Sequence, residues 1–505
     1  MAFVRKFFIT LLSIAFIHPS YSSGQLEFEI LEPTVGPVLG KPLDNTARIW
    51  LRGPVLDEIS PDTHYFGVLN IKKSSDENWS NENHYEFPLG VHYDVPGVKT
   101  KKDYVGFQDL ALKPDSYDYR CGYYGCGIKD FSKARTYIWG DKSYTFTFRD
   151  PSKTESALAF GSCRYFAKLL CWYPWLNTSD HIFQHIVAQN QATDAFALIG
   201  DYIYGDYFNL FGQSRTYEQF MDLYEKAMST PYFKQVIATI PGFYILDDHE
   251  VSNNFGEEYQ RDHPDMFRAG MAAYMTYQHM VTPGFQLNNR ELKHLGYPMK
   301  IGNVPAFMMN ARSNRTVTPP RLIAEEEMNI LKTWLMINRA SDYKVIFSSV
   351  IMFPFYAHNT EQDQDDWAFA PAQLQELLGH INDNMIGGVI ICAGDIHKSL
   401  YSQIETPKGI KITTVIATPF FSPWGHNTGV GSELQPEEGI TEYIPGYNFL
   451  HTSRMYAQDT YARLEFGAAK KLRVQLFNTE GQWINENDPF SGNIDLTQQL
   501  PYQWD

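Results

Sequence analysis

AFALIGDYIYGD, residues 195–206, decides how the rest of the chain is read. An apolar run of this length suits a strand buried on both faces, and the Gly-Asp pair then breaks it and turns it over to polar side chains. The same grammar recurs. ALAF (157–160) ends in GSCRYF (161–166), GFYIL (242–246) ends in DDHEVSNN (247–254), and GGVIIC (387–392) continues as AGDIHKS (393–399). A further apolar run, YKVIFSSVI, covers 343–351. Between the runs lie helical patterns near 180–191, 214–228, 322–338 and 371–382. Ile182, Phe183, Ile186 and Val187 share a face behind Asp180, which reads as an N-cap, and Leu331, Trp334 and Leu335 do the same further on. Buried strands separated by helices predict a layered α/β structure. In such sheets ligand sites gather beyond the carboxyl ends of the strands, where the polar residues fall.

Outward from this centre the texture changes. Residues 24–150 read as β, with short alternating segments such as ARIWLRG (47–53) and YTFTFRD (144–150) between turn-forming clusters, the pattern of a small sandwich. The C-terminal part returns to β in ITTVIATP, YARLEF and KLRVQLFN. Residues 1–23 read as a signal peptide: Arg5 and Lys6, an apolar run from Phe7 to Ile17, then small residues near Ser22 and Ser23. The run is too short to span a bilayer, and no later stretch reads as transmembrane. The expected location is therefore exported, periplasmic or secreted, and the expected state is a monomer. Apolar residues at 44% and charged ones at 20% fit a globular chain. Forty-two basic against fifty-eight acidic side chains give a net charge of −16, which argues against a nucleic-acid-binding surface.

The strand-end residues form a donor set. Cys163, Asp201, Tyr204 and His397 offer a thiolate, a carboxylate, a phenol and an imidazole, which suit iron. Asp201, Asp248 and Asp395 offer only oxygen, which suits calcium, magnesium or manganese. Asp201 is placed to bridge the two metals at the spacing of about 3.5–4 Å used by two-metal hydrolases. A bridging hydroxide would then attack phosphorus in line, with His249 protonating or stabilising the leaving oxygen. Of the other cysteines, Cys121 and Cys126 in CGYYGC are a candidate disulfide across a short loop, while Cys392 and Cys171 read as packing.

The four blocks, with VGPVLGKPLDNTARIWLRG (35–53), resemble the PhoD-like branch of the calcineurin-like metallophosphoesterases. The resemblance implies an α/β (α+β) four-layer metallophosphoesterase sandwich over 151–505. An immunoglobulin- or fibronectin-like β-sandwich over 24–150 would precede it. It implies an alkaline phosphatase or phosphodiesterase with Fe3+ at Cys163, Asp201, Tyr204 and His397. One or two Ca2+ would sit at Asp247, Asp248, Asn254 and Asp395, and zinc or manganese is the alternative metal. Small phosphate esters are the implied substrates. Phospholipid or wall-polymer diesters, in a phospholipase D-like activity, are the alternative. An inactive binding protein that retains the fold is the rival from another class.

The chain departs from the family pattern in two places. MMNARSNR (308–315) puts Asn310 where the family has an acid, and DDWAFAP (365–371) keeps Trp367 and Pro371 but has Ala368 for an acid. Arg312 and Arg315 survive as candidates for phosphate contact or support of the site, and Arg164 is a third candidate for phosphate contact. His358 and the run EQDQDD (361–366) read as loop, and Asn78, Asn177 and Asn314 begin glycosylation sequons.

Overall fold

The computed structural model describes residues 26–43, 45–59, 61–80, 83–91, 101–131, 133–150, 155–169, 172–208, 212–285, 295–353, 366–423, 442–487 and 494–495. Strands Ser156–Gly161, Ala195–Ile199 and Gly242–Ile245 run parallel and adjacent. A second sheet carries Val304–Met309, Lys344–Ser348, Val389–Ala393 and Lys411–Ile416, also parallel. Strand side chains alternate between faces, and the two cores follow that period. Leu158, Phe160, Ala197 and Ile245 meet Met308, Val345, Phe347 and Ile390 in a core between the sheets. On the outer side of the first sheet, Ala159, Phe196 and Leu198 pack under helices His181–Ala188, Tyr217–Ser229 and Pro231–Thr239. On the outer side of the second, Phe307, Ile346 and Ile391 pack under Glu325–Ile337 and Pro371–Asp383. The result is helix, sheet, sheet, helix. Each fully buried aliphatic or aromatic side chain contributes roughly 1.5–3 kcal/mol.

The helices sit close to where the periodicity puts them, but one cap is reassigned. Helix Tyr217–Ser229 opens with a capping box between Thr216 and Gln219. Asp180 makes no side-chain cap to the helix that follows it. Its carboxylate instead accepts from the N–H groups of Tyr232 and Phe233 at 2.8 and 2.9 Å, capping Pro231–Thr239 from a distance in sequence.

In the N-terminal half, strand His84–Val91 pairs with Thr63–Lys73 along most of its length and with Lys102–Ala111 at its end. Residues from the two flanking sets, Leu39, Ile49 and Leu51 against Leu69, Tyr119 and Phe146, then share one core. These strands do not stand apart from the rest. Val35–Leu43 hydrogen-bonds to Gly242–Ile245 with Gly40 opposite Gly242, so among the described residues one strand order of thirteen runs through both parts. Buried polar groups reinforce the join. Arg52 donates to Tyr277 Oη at 3.0 Å and Glu225 at 2.8 Å, and the hydroxyls of Tyr217 and Tyr277 both donate to Asp103.

The disulfide expectation is corrected. CGYYGC lies inside the extended strand Asp115–Gly127, with Cys121 opposite Leu69 and Cys126 opposite His64, and both thiols are free. Five residues of strand separate their Cα atoms by roughly 16 Å, far beyond disulfide reach. The signal peptide, Cys171, His358 and residues 361–365 lie outside the described residues. Among the described residues no helix is long and apolar enough to cross a membrane.

Candidate metal centre

Each strand of the two sheets that ends in a polar block delivers it to one edge. Three groups of side chains there bring ligand atoms within 4.8 Å of one another: Cys163, Asp201 and His397; Asp201, Asp248 and His249; and Asp201, Asp247, Asp248 and Asp395. Asp201 belongs to all three. Tyr204 joins the first group, its hydroxyl 3.2 Å from His397 Nε2. Asn254 touches the cluster through its backbone N–H, which donates to Asp248 Oδ2 at 2.6 Å.

The backbone is bent to do this. Cys163, Asp201, Asn254, Asp395 and His397 all have φ between 53° and 71°, the left-handed region that L-residues avoid. Glycine would sit there at lower cost, so the side chains are retained against a conformational preference of about 1 kcal/mol or more each. The loops are tied by the main chain as well, with Cys163 N–H donating to Gly200 O and Arg164 N–H to Asp201 O. Gly200 itself has φ +107°, and a Cβ there would lie 2.3 Å from Asp247 Cβ. Gly200→Ala is therefore expected to cost at least about 2 kcal/mol, from strain and overpacking together. A urea midpoint unchanged from the parent would contradict this.

The electrostatics favour a bound cation. Burial, then the neighbouring Asp248, Asp247 and Glu250 carboxylates, push the Asp201 carboxyl well above its ordinary range, while His249 opposes them. Burial likewise drives the Cys163 thiol and the Tyr204 phenol up, and Asp201 adds to both. Asp201 Oδ2 is buried with no hydrogen-bond partner. A buried thiol, phenol and carboxyl whose charged forms are disfavoured for want of a nearby cation, set beside an imidazole, fit a metal. Asp248 differs: burial works against its charge, but His249, Arg312 and the Asn254 N–H hold it at about 2.

His249 is fixed by Asp206, whose carboxylate oxygens lie 2.9 and 2.8 Å from Nδ1, and its ring stacks on Tyr204. Arg312 is fully buried, bonded through Nε to Asp247, with Nη2 3.9 Å from both Asp248 and Asp395. It neutralises the carboxylates from behind. Arg315 donates to Asn254 O at 2.9 Å and so supports the loop. The reading of Arg164 as a phosphate contact is corrected. Its guanidinium is buried away from the cluster, donating to Ser179, Ala227 O and Thr230, with Asp180 at 3.5 Å.

Three acids escaped the sequence reading. Asp206 pins His249. Glu250 accepts from the N–H groups of Tyr202 at 2.7 Å and Asp247 at 2.9 Å, joining the two Asp-bearing loops. Glu327, on a helix, accepts from Asn310 N–H at 2.6 Å where the family pattern expects an acid at 310 itself. The repeated Gly-Asp in GDYIYGD and the fourth letter of DDHE were the available signals for the first two. Nothing local marked Glu327, which its own helix pattern places among ordinary first-turn acids.

Burial raises Glu327 to about 8, with the Asn310 and Gly296 N–H groups opposing it. It is protonated in the fold across the window from its ordinary 4.5 up to about 8, where the unfolded chain is ionised. Stability therefore falls as pH rises through that window, by at most about 1.4 kcal/mol per pH unit, and levels off above it. Glu327→Gln should flatten this slope in melting temperatures taken between about pH 5 and 8. A parallel shift of the whole curve would refute it.

Comparison with known proteins agrees with the fold. The family described as PhoD-like phosphatase matches residues 158–443. Alkaline phosphatase D of Bacillus subtilis is 20% identical over 501 residues, covering 88% of this chain and 78% of the relative. A solved structure of PhoD superposes with a TM-score of 0.64 at 16% identity, covering 91% of this chain and 87% of that one. Purple acid phosphatase PPD1 from yellow lupin seeds gives 0.56 at 11% identity, covering 88% and 72%.

Proposed function

The chain belongs to the PhoD-like phosphatase family and is a phosphoric ester hydrolase; from that premise we propose an exported, metal-dependent enzyme cleaving phosphate mono- and diesters at the carboxyl-edge cluster. The observation that supports the proposal is the membership of Asp201 in all three ligand groups, the position a carboxylate shared by two metals would take. Cys163, Asp201, Tyr204 and His397 would hold Fe3+, and Asp201, Asp247, Asp248, Asn254 and Asp395 one or two Ca2+. When bound, the metals supply Lewis acidity toward the phosphoryl oxygens and lower the pKa of the attacking water.

The protein's own groups do the rest. Asp206 fixes the ring of His249 through Nδ1, leaving Nε2 as the nitrogen that passes a proton to the leaving alcohol oxygen as the P–O ester bond breaks. Arg312 favours the ionised form of Asp248 and holds the Asp247 carboxylate through Nε. The N-terminal strands, with their shared core, are read as the immunoglobulin- or fibronectin-like domain, residues 24–150, acting as a wall of the same body. Residues 1–23 are read as the export signal, and the enzyme as a monomer.

The test is elemental analysis of the purified protein beside hydrolysis of p-nitrophenyl phosphate and bis-p-nitrophenyl phosphate, with and without a calcium chelator. Iron and calcium are expected, with activity lost on chelation. Zinc alone would overturn the metal assignment. Less than one metal per chain and no hydrolysis would favour a binding protein that kept the fold.

A further inference from the structure

A train of rings leads outward from the cluster. Tyr204 stacks on His249 with centroids 4.2 Å apart. Tyr207 lies 5.8 Å from His249 and 6.4 Å from Tyr204. Tyr165, from the Cys163 loop, meets Tyr204 at 4.8 Å and Tyr207 at 6.0 Å, and Trp175 backs it at 5.9 Å. Tyr165 and Tyr204 are buried, whereas Tyr207 is 47% exposed. Its backbone is nevertheless fixed. Tyr207 ends the short turn Gly205–Tyr207, in which Gly205 N–H donates to His249 O at 2.7 Å. A Cβ on Gly205 would strike the Phe220 ring at 2.3 Å, so the turn is clamped on its inner side. A held aromatic face, wet on its outer side and a ring's width from His249, is a preorganised stacking surface.

We propose that Tyr207 binds the alcohol half of the substrate, and that the preferred substrates are phosphate esters whose alcohol carries a flat ring, nucleotides above all. This rests on the hydrolytic reading of the same site. Tyr207 is the exposed ring beside His249, so with the leaving oxygen at His249 this is where a ring on the alcohol would find a stacking partner. A base or aryl ring gains by stacking there, while a bare sugar or glycerol has no flat face to offer.

Adenosine 5′-monophosphate and ribose 5-phosphate share the same 5′-ester and differ at C1′, a base against a hydroxyl, so the ratio of their kcat/KM values reads the contribution of the base. The parent should favour the nucleotide by about tenfold, in line with the worth of a base on an aromatic ring. Tyr207→Ala should bring the ratio close to one, and Tyr207→Phe should keep it. If Tyr207→Ala lowers both substrates together and leaves the ratio in place, the ring only props His249 and the proposal is overturned. A parent that cleaves p-nitrophenyl phosphate but shows no preference for the nucleotide overturns it equally. A parent that cleaves no ester at all is a different result: the hydrolytic reading itself falls, and this proposal with it.

Discussion

Asp201→Asn is expected to lower kcat/KM for p-nitrophenyl phosphate by at least about a thousandfold, roughly 4 kcal/mol of transition-state stabilisation. On the proposed assignment, iron and calcium should both leave with the activity. The reason is topological as much as chemical: the residue stands in every ligand group of the cluster, so one lost charge weakens both halves. The same substitution should act in the opposite sense on the metal-free chain. There burial and the adjacent Asp248, Asp247 and Glu250 make the carboxyl costly to ionise, and an amide removes that cost. The chelated variant should therefore melt above the chelated parent at neutral pH, while the metal-loaded parent melts above both. Full activity with unchanged metal content would break the two-site model, and a chelated variant that melts lower would break the electrostatic account.

Arg312→Ala should be among the most destabilising single changes, costing about 3–5 kcal/mol in the chelated chain, because it strands buried carboxylates without their cation. Asp247 loses its Nε–H partner, and Asp248 and Asp395 lose a guanidinium 3.9 Å away. Arg312→Lys keeps the charge but not the planar fork, and should recover only part of the loss. Denaturant midpoints of the three chains, taken in chelator, decide the matter. A cost for Arg312→Ala below about 1 kcal/mol would mean that the carboxylates are already neutral in the fold.

The layered fold and the meeting of the four blocks were legible because both depend on local grammar: an apolar run of strand length, then a turn, then a donor. Chain topology did the rest, since parallel strands deliver their carboxyl ends to one edge. What stayed hidden was direction and long-range pairing. Arg164 sits next to Cys163 in sequence, yet the left-handed turn at Cys163 is followed by a guanidinium aimed into the helices, and no pattern of residue types announces that. Asp180 reads as a cap for the helix beside it and serves another some fifty residues on. Cys121 and Cys126 look like a loop closure only until the strand pairing that stretches them apart is known. Glu327 meets the main chain of position 310 from a helix that begins fifteen residues on, which a linear pattern cannot encode.

The strand Val35–Leu43 has a temporal consequence. It is made early in synthesis, but its partner on one side, Gly242–Ile245, follows roughly two hundred residues later. At translation speeds of about 5–20 residues per second, that edge waits ten seconds or more with its hydrogen-bonding groups unpaired. Arg48 has Asp109 and Arg52 has Thr34 early, but Glu225 comes only shortly before that partner strand, and Tyr277 and the Met280 carbonyl come after it. The N-terminal strands are thus made with one edge open, and a chain cut near residue 150 is expected to keep that edge open and to self-associate through it, which sedimentation of the fragment would show.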